Sequence, residues 1–174
     1  MTNKQLLRRE LLAERLVLSD SEFRLRSLLV QDKIRLILHE STIDFLTVHT
    51  YSPLSTQREV NIVPVINWLD GLSPKRTIHT TRKTASGWST LDWITGSIVA
   101  PLVAYDLIIV PMIGFDDRLH RLGYGGGFYD RFLSSQTRAF KLGVCFEQGH
   151  IALIPKESHD VPLDMIVTDV VTYE

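Results

Sequence analysis

Residues Asp106 to Leu133, DLIIVPMIGFDDRLHRLGYGGGFYDRFL, constrain the chain more than any other stretch. Asp106 to Pro111 is an apolar run closed by proline, the pattern of a strand buried on both faces. Met112 to Gly127 reads as a loop carrying Arg118, His120 and Arg121, with glycine at 123, 125, 126 and 127. From Phe128 a helix is expected, with Phe128, Phe132 and Leu133 able to share a face. A strand feeding a glycine-rich loop and then a helix makes an anion site from ordinary parts. Glycine lets the backbone approach a ligand closely, and the first amides of a helix have no internal partners. Arg121 adds a planar fork of donors suited to phosphate. The spacing fits neither GxxxxGK[ST] nor a clean GxGxxG. The residues alone leave two readings open, a phosphate site or a flexible loop of tight turns.

Composition narrows the classes. The 174 residues are enough for one domain with a substantial core. Net charge is −1, so nothing draws the whole chain to nucleic acid or to acidic membranes, and a phosphate ligand must be held by local charges. The single Cys145 excludes an intrachain disulfide and a cysteine-rich zinc site, which fits a reducing cytoplasmic setting. It lies in an apolar strand and is expected to be inert. The N-terminus is charged and has no signal-peptide core, and no apolar run approaches a membrane span. Exposed aromatics interleaved with basic residues, the mark of an RNA-binding module, are not seen.

Thr2 to Leu18 reads as an amphipathic helix with Leu7, Leu11 and Leu12 at helical spacing. Lys4 and Arg8 project from one face of it, ordinarily a solvated face. Ser19-Asp20-Ser21-Glu22 is a capping box opening a second helix to about His39, whose stripe is expected to be Leu25, Leu28, Leu29, Ile34, Ile37 and Leu38. Ile43 to Thr50 is expected as a strand, followed by Tyr51 to Leu54, then Glu59, then a short apolar helix through Trp68. Arg76 to Thr80 is a short strand. Residues 81–100 carry little pattern; Trp88 and Trp93 read either as core residues, the expected reading, or as flanks of a flat aromatic ligand. Lys141 to Phe146 and Met165 to Val167 complete the strands. Alternating strands and helices with continuous apolar runs predict an α/β fold: one three-layer α/β/α domain, residues 1–174, with a mostly parallel central sheet.

The central stretch also resembles the 5-formyltetrahydrofolate cyclo-ligase family, through Val110, Pro111, Phe115, Asp116, Arg121, Leu122, Gly123, Gly125, Gly127, Tyr129 and Asp130. The tail is similar to it at Pro155, Glu157, His159, Asp160, Pro162, Asp164 and Thr168. Met112 and Leu119 stand where that family usually has glycine. Its Glu-Pro pair before the Asp106 strand has no counterpart nearer than Ala100-Pro101. The resemblance implies ATP-dependent closure of 5-formyltetrahydrofolate to 5,10-methenyltetrahydrofolate, with ADP and phosphate released. The alternative is a non-catalytic folate- or nucleotide-binding relative.

Carried over residue by residue, the resemblance assigns ATP to Lys4, Arg8, Arg121, Leu122, Gly123, Tyr124, Gly125, Gly126, Gly127, Phe128 and Tyr129. It assigns folate to Tyr51, Leu54, Glu59 and Tyr124, catalysis to Arg121, Tyr124 and Tyr129, and Mg2+ to Asp130 and Asp164, with Asp116 as an outer partner. A cytoplasmic monomer is expected, with no nucleic-acid or membrane partner. Taken singly, Glu59 reads as a solvated loop residue, Asp130 as a first-turn residue favoured by the helix dipole, and Asp164 as a turn residue. Arg121 is expected to face its ligand without supporting the core.

Overall fold

The structure is a computed structural model that describes residues 3–84, 87–158 and 160–174. His159 of the tail motif, Thr2 at the expected helix start and two residues of the 81–100 stretch lie outside the described residues. The elements in chain order are α1 (Asn3–Leu16), α2 (Asp20–Glu40), β1 (Thr47–Tyr51), α3 (Val63–Leu72), β2 (Thr77–Thr84), β3 (Gly87–Asp92) and β4 (Leu107–Pro111). There follow β5 (Gly114–Phe115), β6 (Arg121–Leu122), α4 (Phe128–Ser135), β7 (Phe140–Val144), β8 (Met165–Val167) and β9 (Thr172–Tyr173).

Seven strands form one sheet in the order β3-β2-β1-β4-β7-β8-β9. The inner five run parallel, and β3 and β9 close the edges antiparallel. β4 is buried on both faces, and period-two alternation divides its side chains. Leu107 and Ile109 join the core under α2 and α3, while Ile108 and Val110 join the core that includes Leu133 of α4. The three-layer α/β/α arrangement expected from the alternating pattern is therefore present. From β1 the chain steps to β2 on one side; β4, β7 and β8 lie on the other. The sheet thus changes winding direction between β1 and β4, which leaves a crevice beyond their carboxyl ends.

The capping box forms as expected. Glu22 N donates to Ser19 Oγ at 3.3 Å, and Ser19 N donates to Glu22 Oε2 at 2.9 Å, an arrangement worth about 1 kcal/mol. The stripe on α2 differs from expectation. Leu25, Leu28 and Leu29 are exposed, whereas Ser27 and Gln31 are buried beside Val30, Ile34 and Leu38. The reason is a backbone clamp. Ser27 Oγ accepts from Asn61 N at 3.3 Å, and Gln31 Nε2 donates to Asn61 O at 2.6 Å. Two polar side chains thus satisfy a buried connection that leucines would leave unpaired.

The segment expected as open loop, 112–127, contains the small ribbon β5–β6, and Asp116 organises it. The Asp116 side chain is fully buried. Oδ1 accepts from the amides of Arg118 at 3.0 Å and His120 at 3.1 Å; Oδ2 accepts from Ile154 N at 3.0 Å and faces His120 Nδ1 at 3.3 Å. Burial alone would raise this carboxyl's pKa. The amides of Ile154, His120 and Arg118 and the His120 ring outweigh it and hold the group below the usual range. The oxygens expected to serve a metal's outer shell are here engaged by amides of their own turn and of the distant Ile154.

The two departures from the family's glycines are also accounted for. Met112 is buried, and its Cε would lie 2.2 Å from a Cβ added at Gly143 on β7. The bulk missing at one position is filled from the other. Leu119 takes a left-handed backbone, φ 60°, in a tight turn where its amide donates to Asp116 O at 3.0 Å.

Two outcomes follow for stability. Gly143→Ala should lower unfolding free energy by about 1–3 kcal/mol through overpacking, and Met112→Ala in the same chain should recover part of it; no recovery in urea titrations would separate the two sites. Asp116→Asn should lose about 1–3 kcal/mol at pH 7, because an amide nitrogen replaces an acceptor among donors. The depressed carboxyl stabilises above its unfolded pKa, and that contribution fades as pH falls below about 4. The gap between wild type and Asp116→Asn should therefore narrow in unfolding curves taken from pH 7 toward pH 3; a constant gap would contradict this origin.

Candidate functional site

A cleft of about 580 Å³ opens at the carboxyl ends of the parallel strands. Tyr51 closes β1 and Pro111 closes β4 on its floor, at the point where the winding reverses. A smaller cavity of about 290 Å³ lies elsewhere, against α2 and α3. Its one arginine, Arg76, is bound to the carbonyls of Phe45 and Leu69 and to Asp44.

α1 brings basic groups to the main cleft. Leu11, on its inward face, packs with Ile113, Leu122 and Ile154, which seats the helix over the β4–α4 segment. Lys4 is then buried, its Nζ 2.9 Å from Asp160 Oδ2 and 3.4 Å from Glu157 Oε2. Arg8 Nε donates to Gly123 O at 2.7 Å. Lys4 and Arg8, one helical turn apart, thus both line the cleft, where α1 meets the segment of Glu157 and Asp160.

The glycine loop lies against that face. Gly127 has φ 62° and is the N-cap residue of α4, with no side chain capping the helix start. Gly125 has φ 87°, and a Cβ there would approach the Arg8 guanidinium at 3.4 Å. The last turn of the loop requires glycine for its backbone, and the first amides of α4 remain available at the cleft. Phe128 packs on Trp88 of β3 with ring centroids 4.9 Å apart. Trp88 is 46% exposed and lines the cleft, which corrects its expected core position; Trp93 packs against the core under α2 and α3 as expected.

Arg121 sits on β6 and is buried. Nη1 donates to Val161 O, and Nη2 is paired with Asp130 Oδ1. Burial lowers its pKa, and the carboxylates of Asp130 and Asp160 oppose that shift. Its expected detachment from the framework is therefore corrected: it ties α4 to the tail segment as well as facing the cleft.

The two carboxylates assigned to a metal are not brought together. Asp130 lines the cleft. Asp164 precedes β8 at the amino end of the parallel strands, the opposite edge, where its Oδ2 accepts from Lys141 N at 2.7 Å. The tail carboxylates that do reach the cleft are Glu157 and Asp160, the latter four residues before Asp164. Sequence spacing alone does not separate Asp160 from Asp164, because they lie only four residues apart in one irregular segment. Among the described residues no cluster of three or more His, Cys, Asp or Glu is placed to hold a metal ion.

Glu59 is buried at the other end of the cleft, with Oε2 accepting from Leu54 N at 2.6 Å. Burial raises its pKa, against the Leu54 amide, the Tyr124 hydroxyl and the Arg15 charge. Tyr51 and Leu54 line the same end, with the Tyr51 hydroxyl donating to Val60 O at 2.8 Å. Tyr124 and Tyr129 also line the cleft, and burial raises both phenols. Beneath them His49 is buried among rings, 4.5 Å from Phe132, with Nε2 2.7 Å from Thr81 Oγ1. Burial, then His79, pushes its pKa down to about 3, so it is a neutral ring packed against the cleft-lining Phe128 and Tyr129. Nothing in its sequence context marked it. Cys145 is buried and its thiol is pushed up to about 12, consistent with an inert core position. No helix among the described residues is long and apolar enough to cross a membrane.

Comparison with known proteins places this geometry in a family. The sequence pattern of the 5-formyltetrahydrofolate cyclo-ligase family matches residues 72–169. A 5-formyltetrahydrofolate cyclo-ligase of Haemophilus influenzae is 40% identical over 72 residues, covering 40% of this chain and 38% of that protein. The Escherichia coli K12 protein of the same name is 38% identical over 72 residues, 40% of each. These matches span only about two fifths of the relatives' lengths. A solved 5,10-methenyltetrahydrofolate synthetase from Mycoplasma pneumoniae superposes with TM-score 0.82 at 24% identity, over 97% of this chain and 99% of that one. The Aquifex aeolicus synthetase gives TM-score 0.77 at 24% identity, over 99% and 92%. Those two likenesses establish the fold. With more than half its length inside the family pattern, the chain belongs to the 5-formyltetrahydrofolate cyclo-ligase family.

Proposed function

We propose that this protein closes 5-formyltetrahydrofolate to 5,10-methenyltetrahydrofolate while converting ATP to ADP and phosphate. The observation that carries the reading is convergence. Lys4, Arg8, Arg121 and the glycine loop, from separate segments, border one cleft whose other end holds the buried Glu59. The names of the relatives support the same reaction.

In this reading Lys4, Arg8, Arg121 and the amides of residues 122–129 bind the nucleotide phosphates. Glu59 binds the folate ring, beside Tyr51 and Leu54, and Tyr124 and Tyr129 border the reacting groups. The formyl oxygen attacks the γ-phosphorus and the bond to ADP breaks. The folate N10 lone pair then attacks the activated carbon, phosphate leaves with the former formyl oxygen, and N10 gives up its proton. The protein aligns these atoms and stabilises the transferring charge; no covalent nucleophile is required.

The donor set fits magnesium. Asp130 and Asp160 present hard carboxylate oxygens at the cleft, and this metal is commonly held by one or two carboxylates together with substrate phosphates. When bound, it supplies charge neutralisation on the phosphates. Asp130 and Asp160 are the residues to hold it, in place of the pair expected from sequence. A cytoplasmic setting agrees with the lone buried thiol.

The direct test is absorbance of the methenyl product. Purified protein should turn over 5-formyltetrahydrofolate only with both ATP and magnesium present; ATP binding without turnover would favour a non-catalytic relative. Glu59→Gln should weaken folate binding by about 1–3 kcal/mol, the range for disturbing a buried polar contact, and leave ATP affinity near wild type in parallel titrations. Unchanged folate affinity would confine Glu59 to holding the Leu54 amide.

A further inference from the structure

Arg15 lies on α1 and no step above uses it. It is 3% exposed, an unfavourable position for a guanidinium without partners. Nη1 donates to Met112 O at 3.1 Å, and Nη2 donates to the Tyr124 hydroxyl at 2.5 Å. Among the described residues it has no carboxylate within ion-pairing distance, and its Nε has no hydrogen-bond partner. The nearby anion lies beyond Tyr124, whose hydroxyl takes the Arg15 hydrogen bond and feels the Glu59 charge as well. The direction follows from chemistry. A guanidinium can only donate, so the phenol accepts from Arg15 and its own proton is left to turn toward Glu59. Glu59 in turn holds the Leu54 amide. A line of interacting groups, Arg15 to Tyr124 to Glu59 to Leu54, thus crosses from α1 to the loop after β1.

We propose that Arg15 is a positioning residue for the folate end of the cleft, acting through the Tyr124 hydroxyl to hold the Glu59 carboxylate toward the ring it binds. The proposal rests on reading the cleft as a folate site. A purely structural Arg15 would serve only the Met112 carbonyl, and Tyr124 would be incidental to it. The nucleotide end is separate, because Lys4, Arg8 and Arg121 are held by Asp160, Gly123 and Asp130.

A kinetic double-mutant cycle on the full chain distinguishes these roles, with KM for 5-formyltetrahydrofolate and for ATP measured for wild type, Arg15→Met, Tyr124→Phe and the double variant. Each single change should raise the folate KM by about tenfold, as loss of a charge-assisted hydrogen bond does. The ATP KM should stay within about twofold, and the double variant should be no worse than either single one, since both cut the same line. Penalties that multiply toward about a hundredfold would overturn the proposal, because independent contributions add in free energy. So would a lowered Tm for Arg15→Met with an unchanged folate KM. If Arg15→Met fails to fold, Arg15→Lys replaces it in the cycle. It keeps the charge but cannot reach both partners, and the same non-additivity with Tyr124→Phe is expected. Wild type that neither binds nor converts the folate would overturn the cleft assignment and this proposal together, whereas active wild type with additive variants overturns the positioning role alone.

Discussion

The Asp116 carboxylate is where the architecture of the site is tied. It is fully buried, yet its two oxygens collect the amides of Arg118 and His120 from its own turn and of Ile154 from a distant segment. A buried charge is tolerable when it is met by donors on this scale. The result is that 114–122 becomes a folded ribbon carrying Arg121 inward. The Ile154 segment is fastened beside it, and the chain beyond leads to Glu157 and Asp160 at the cleft. α1 packs its leucines on the same ribbon. Remove that anchor, and neither the glycine loop nor the N-terminal cations have a fixed place to stand.

The cleft is also balanced electrostatically within itself. Lys4 is paired with Asp160 and Arg121 with Asp130, so these buried cations are partnered and aimed without any ligand. A chain of net charge −1 can thus present the phosphate-binding end proposed above, because the field that matters is local and desolvated, where it is screened least. On the proposed reading, incoming phosphates meet the cations while a hard metal meets the carboxylates.

The departures at Met112 and Leu119 show how a loop absorbs substitutions. The Met112 side chain occupies room left by Gly143. Leu119 accepts a left-handed backbone, which costs about 1–2 kcal/mol for a side chain of its kind, inside a turn held by Asp116 and by Leu163 N donating to Leu119 O at 3.0 Å. The framework around the loop supplies more contacts than that strain can undo.

Much of this was legible in the one-dimensional pattern. LIIV read as a doubly buried strand because both faces of β4 are apolar, and Ser19 with Glu22 read as a helix start because the capping bonds are local. The glycine loop and Arg121 stood out because strand, loop and helix start follow one another in sequence, whereas the Lys4–Arg8 face and Asp130 were marked only by the resemblance to the family. What tertiary structure alone decided depends on partners distant in sequence. Ser27 and Gln31 turned α2 about its axis by clamping Asn61, so leucines that looked central face outward. Asp160 reaches the cleft while Asp164 stays at the far edge, since only the strand's register sets which end of the sheet each occupies. Arg15 acquired its partners through Tyr124 and Met112, about a hundred positions away. The sequence by itself determined the elements and the chemistry available to them, because those follow from local periodicity and residue type; packing decided which groups meet, because burial forces each polar atom to find whatever partner the fold brings near.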